Sequence, residues 1–171
     1  MIGSAAFAVF TMFWTGLTFL LSSAPFSYSA TQIGLVGLAG LAGTLAAKRA
    51  GQLHDRGLGA PATGIALVLA LVSLAIAGLG STSIIVVLVG TVLLQAAIQA
   101  VNVLNQIRLF ALDPGARSRL NTAFVTGNFI GGAIGSALAG VLWQFGGWLA
   151  VTVAGAALIA LAFIAWLSHR K

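Results

Sequence analysis

Residues 84–105 read IIVVLVGTVLLQAAIQAVNVLN, a stretch without a single charged side chain. A helix needs about 20 mostly apolar residues to cross the hydrocarbon core of a bilayer, so this segment is long enough to span one. Three of its four amides fall together. Gln95, Gln99 and Asn102, followed by Gln106, fall at offsets 0, 4, 7 and 11, which is one face of a helix. An apolar rod with a single amide stripe reads as a membrane helix whose polar side faces protein or water, because unpaired polar groups in lipid are costly.

Working outward, five more runs of comparable length and character appear. They cover residues 2–22, 30–47, 61–79, 120–142 and 148–167. Ser23, Ala24 and Pro25 close the first run, Lys48 and Arg49 close the second, and Pro61 suits the first turn of the third. The sequence therefore predicts an all-α integral membrane protein, a single domain over 1–171 with six transmembrane helices. The whole composition agrees: 60% of the 171 residues are hydrophobic and 6% charged, against about 25% charged in a typical soluble domain. Mean hydropathy is +1.09.

The same composition excludes several functions. There is no cysteine, and two histidines and two carboxylates leave little for metal binding or acid–base chemistry. No catalytic residue, metal or cofactor is expected, and the chain does not read as an enzyme. The net charge of +6 is spread singly or in pairs between apolar runs, so it marks topology and not nucleic-acid binding. Lys48, Arg49 and Arg56 follow the second run, Arg108, Arg117 and Arg119 the fourth, and Arg170 and Lys171 the sixth. The connections 23–29, 80–83 and 144–147 carry no cation. Alternating crossings put all eight basic residues on one side, which the positive-inside rule makes cytoplasmic, with both termini there. A signal peptide does not fit, because no basic region precedes Phe7. Trp143, Trp148 and Trp166 lie near span ends, where interfacial aromatic anchors are expected.

The polar stripe recurs. In the first run Phe7, Thr11, Trp14 and Thr18 repeat the offsets of the fourth, and the fifth carries Thr122, Thr126 and Asn128. The third and sixth runs are almost uniformly apolar and are expected to face lipid. In both sets of three, the first helix is striped and the third plain, which predicts two three-helix repeats, about 1–80 and 81–171, inverted relative to each other. Glycines at 34, 37, 40 and 43, and Gly127, Gly131 and Gly135 at spacings of four, predict smooth ridges for close helix packing.

Between the second and third runs the sequence is Gly51-Gln52-Leu53-His54-Asp55-Arg56-Gly57. Gly-x-Leu-x-Asp-Arg-Gly between the second and third helices of a six-helix unit resembles the loop signature of the major facilitator superfamily. The basic residues that usually follow are replaced by Leu58, Gly59 and Ala60, as in the copy of the motif in the second half of such transporters. Residues 102–135, with Asn105, Gln106, Asp113, Pro114, Arg117, Arg119, Leu120, Asn121 and the glycine run ending at Gly135, look like helices ten and eleven of bacterial permeases related to drug:proton antiporters. The resemblance implies the C-terminal half of a twelve-helix transporter, with Gly51, Asp55 and Arg56 as a cytoplasmic latch on one access state.

The expected function is secondary active transport in the cytoplasmic (inner) membrane, the efflux of small organic compounds by alternating access. Its cavity wall would be Thr11, Trp14, Thr18, Gln95, Gln99, Asn102 and Asn128. The expected partners are the lipid bilayer, a small organic substrate, and a missing N-terminal half or a second copy; nucleic acid is not among them. The alternative is a six-helix membrane protein acting as a homodimer or regulatory assembly partner without transport of its own.

Overall fold

The computed structural model describes residues 2–168. Arg170 and Lys171, assigned above to the cationic side, lie outside them. Among the described residues all regular structure is helical: α1 (Ile2–Ser22), α2 (Ala30–Val36), α3 (Gly40–Asp55), α4 (Gly59–Leu79), α5 (Ile84–Leu112) and α6 (Arg117–Ser168). Short 3-10 turns at Gly37–Ala39 and Pro114–Ala116 join α2 to α3 and lead into α6. Taken with that turn, α2 and α3 form one rod over Ala30–Asp55, so among the described residues five helices are long and apolar enough to cross a membrane, where the sequence suggested six.

The difference lies in α6. It runs for 52 residues, about 78 Å at 1.5 Å per residue, more than twice the hydrocarbon thickness. Helical dihedrals fail only at Gly146 (φ −158°, ψ 18°) and Gly147 (φ 56°, ψ −145°). Residues 144–147, read above as a connection, are therefore a break within one helical run. Neighbours of α1 reveal the direction of each limb. Gly3 lies against Phe124, Ser4 against Gly131, Ala8 against Gly135, and Phe19 against Trp143, so the first limb runs parallel to α1. Gly16 lies against Val151 and Gly155 near Met12 and Val9, so the second limb runs antiparallel. The chain doubles back at two glycines, the second of which has a positive φ that a Cβ would strain.

Helix ends have local causes. Ser29 caps α2 with a reciprocal pair of bonds, its hydroxyl accepting from the Gln32 backbone amide at 3.4 Å while Gln32 Oε1 accepts from the Ser29 backbone amide at 2.8 Å. Asp113 Oδ1 accepts from the Gly115 amide at 2.9 Å and turns the chain between α5 and α6.

Two expectations about exposure need correction. The plain, apolar α4 faces outward on only one side: half of its apolar stretch is buried, with Thr63, Leu67, Ala70, Ser73 and Ala77 fully inside, while Ile65, Val68, Val72 and Leu79 are exposed. It packs on α5 and on the second limb of α6. The glycine-bearing α2–α3 rod is peripheral, only 6% buried, with Leu35, Leu38, Leu41 and Leu45 all above 60% exposed. A helix apolar on every side fits equally well in lipid or in a protein interior, so its composition does not choose between them. Trp148 and Trp166 are likewise core residues, each 5% exposed, and not interfacial anchors. Trp148 donates its indole N–H to the Ala77 carbonyl at 2.8 Å, and Trp166 stacks with Phe163 over Gly64.

Candidate functional site

Neighbouring rods set the candidate site. Gly40 and Gly43 of α3 lie against Gln95 and Gln99 of α5. From α5 the packing continues to α1, and from α1 to the first limb of α6. The stripes of α1 and α5 meet where the Trp14 indole N–H reaches Gln95 Oε1 at 3.4 Å. Around this bond the side chains grade from inside to outside: Gln95 is buried, Trp14 and Asn102 are half-buried, and Gln99 and Thr18 are exposed.

Sequence-predicted cavity residues separate into two kinds here. Thr11 is engaged in packing, its hydroxyl donating to the Gly132 carbonyl across the helix contact at 2.8 Å and, at longer range, to Ala8 and Phe7 in its own helix. Thr18 donates back to the Trp14 carbonyl at 3.0 Å. Neither hydroxyl hydrogen is free for a ligand. The amides differ: among the described residues Asn102 Oδ1 and Asn128 Oδ1 are buried acceptors without a hydrogen-bond partner. An unmet buried acceptor costs about 1–3 kcal/mol, so both have unused capacity for a donor. Asn128 sits beside Gly3 at the end of α1, where Gly3, Ser4, Asn105, Leu109 and Phe124 line a cavity of about 120 Å³.

The stripe reading held Phe7 and Trp14 but missed Phe10 and Phe129, which complete an aromatic row on the same side of α1. Phe129 meets Phe7 edge-on at 6.3 Å, Phe7 stacks on Phe10 at 5.5 Å, and Phe10 meets Trp14 edge-on at 6.4 Å. Phe7, Phe10 and Trp14 are half-buried and Phe129 is 69% exposed. The signal was available, since Phe7, Phe10 and Trp14 are three and four residues apart. Aromatic faces beside neutral amides can bind and orient a ligand, but they cannot exchange a proton near neutral pH. Among the described residues no cluster of histidine and carboxylate side chains could hold a metal.

The residues of the resembling loop are not in a loop. Gly51, Leu53, His54 and Asp55 form the last turns of α3, and only Arg56, Gly57 and Leu58 connect it to α4. Asp55 and Arg56 are exposed and form no ion pair with a described residue, and Gly51 has open space where a Cβ would be. His54 packs its ring on Gly59. Gly127 and Gly131 face Ser4, and Gly135 faces Ala8 and Thr11, which brings the first limb of α6 backbone-close to α1; Gly34 and Gly37 have no close neighbour.

Comparison with known proteins gives relatives over almost the whole chain. A protein of Escherichia coli O157:H7 named as an uncharacterized transporter, YgaY, is 39% identical over 166 residues, covering 97% of this chain and 42% of its own length. A protein of Streptomyces coelicolor named as a probable transporter is 34% identical over 155 residues, 90% of this chain and 36% of its own. This is a multi-pass membrane protein. It spans less than half the length of these relatives. No family model and no solved structure matches it.

Proposed function

We propose that this chain is the C-terminal half of a secondary active transporter of the major facilitator type, exporting small organic compounds across the inner membrane. In this reading α6 counts as two crossings folded at Gly146–Gly147, giving six rods in two inverted repeats. The single observation that carries the proposal is the junction of two polar seams at Trp14 and Gln95, with Gln99 and Asn102 continuing it along an incompletely covered face. A ligand there would meet aromatic surface and neutral amides. The relatives' names and their greater length support a second half opposite this face. Cations at the ends of α3 and α5 and the start of α6 support a cytoplasmic placement of that end. Asp55 and Arg56, unpaired within the described residues, are free to latch onto that half. Proton coupling then needs a titrating group outside the membrane-depth residues of this chain.

The test is co-expression with a matching N-terminal half and measurement of export. Gln99→Leu and Asn102→Leu should change which compounds are exported while leaving the protein's abundance unchanged; variants with the parent's full substrate profile would remove this wall assignment. A second reading, a homodimer or assembly partner without transport, is favoured by the four exposed leucines of α2–α3, which a second copy could cover. Crosslinking through Leu41→Cys separates the two: a homodimer persisting in the presence of the other half supports the second reading.

A further inference from the structure

Among the described residues, three of the apolar clefts on the outside of the bundle can be compared, and one differs from the others. Two lie between α4 and the second limb of α6, with volumes of about 240 and 380 Å³, and no cation lines either. The third, about 210 Å³, lies where α3, α4 and α5 meet. Its floor is alanine from all three helices: Ala50, Ala66 and Ala97, each at most 5% exposed. Leu53 and the 70%-exposed Ile65 stand on its sides, and Arg49 lies on its lining.

The periodicity is regular on both flanks. Ala46, Arg49, Ala50 and Leu53 are one face of α3, and Ala62, Ile65, Ala66 and Leu69 are the same pattern on α4. The two faces run in opposite directions, since the cleft joins the end of α3 to the beginning of α4. The result is a trough one small side chain deep, running from the cation-bearing end of the bundle toward its middle. Arg49 is exposed and forms no ion pair with a described residue. Neither carboxylate of the chain, Asp55 or Asp113, lines the cleft.

We propose that this cleft is a binding site for an anionic glycerophospholipid, with one acyl chain lying on the alanine floor and the phosphate on the Arg49 guanidinium. In a membrane protein an outward apolar trough is filled by lipid tails, and the lone cation at its side selects the headgroup. Guanidinium pairs with phosphate oxygens through two parallel N–H donors, which a single ammonium point charge does not match. Lys48, next in sequence and exposed, adds positive potential at the same level. The site rests on the protein being membrane-embedded and not on its being a transporter.

The chain is purified from vesicles of phosphatidylcholine containing phosphatidylglycerol, and the lipids retained are counted by native mass spectrometry. Retained phosphatidylglycerol should fall about fivefold in Arg49→Gln, the effect of one basic residue near an anionic surface. Arg108→Gln, which removes an equal charge from α5, should leave it unchanged. Ala66→Leu fills the floor and should lower retention further; if it does not fold, Ala62→Leu at the half-buried rim is the substitute. Equal loss in Arg49→Gln and Arg108→Gln, or equal loss of phosphatidylcholine, would overturn the site. Full retention in both Arg49→Gln and the cleft-filling variant would do the same. Retention is read without any export assay, so a failure of the transport proposal leaves this result standing.

Discussion

Replacing Trp148 by phenylalanine isolates what one hydrogen bond contributes to this bundle. The helix α4 ends at Leu79, so the Ala77 carbonyl is among the last four that lack an intrahelical partner. Trp148, the first residue after the two-glycine break, reaches across and donates to it at 2.8 Å. Its ring also packs against Phe13, with centroids 5.1 Å apart, in an environment 5% exposed. Phenylalanine keeps an aromatic ring there but removes the donor, stranding a buried carbonyl at about 1–3 kcal/mol. Losing the second ring adds a small cavity, for which about 1 kcal/mol is a fair addition. The expected loss is therefore about 2–4 kcal/mol. Reversible unfolding in detergent, followed by tryptophan-independent far-UV circular dichroism, measures it. A loss under about 0.5 kcal/mol would refute the idea that this bond ties the second limb of α6 to the end of α4.

Other expected outcomes follow from the same packing. Gly147→Ala places a Cβ at φ 56° and ψ −145°, a region that is nearly glycine-only, and should cost about 1–3 kcal/mol by the same unfolding assay. Gly135→Val drives a branched side chain into the Ala8 backbone and should destabilise by at least about 1–3 kcal/mol, whereas Gly37→Val, with open space around it, should stay within about 0.5 kcal/mol. Asp113→Ala deletes the 2.9 Å bond to the Gly115 amide and should cost about 0.5–1.5 kcal/mol, visible as faster proteolysis between α5 and α6.

The membrane character, the approximate limits of the rods and the seams on α1 and α5 were all readable from residue spacing. Where polarity carried the reading, one pair of stripe residues meets: Gln95 and Trp14, 81 positions apart. It failed where no polarity was available. Nothing in the apolar face of α4 distinguishes lipid from protein as a neighbour; the useful signal was its small residues, Gly64, Ala66, Ala70, Ala77 and Gly78, which let α5 and α6 approach. The two-glycine break looked like a loop because glycine pairs usually mark turns, yet Gln144 and Phe145 keep helical geometry up to it. Likewise, the charges at residues 48–56 suggested a loop, but α3 continues through most of them, since an exposed helix end needs no apolar face.

The first helix of this unit is completed by its last. Within this unit α1 precedes α6 by about a hundred residues, yet its buried face, through Val9, Met12, Phe13 and Leu17, is covered largely by α6, whose second limb ends at Ser168. Until the second limb of α6 is in place, that face has only lipid or other protein against it. Within this unit, then, closure waits on the second limb, and a unit that lacks it holds a bundle that cannot close.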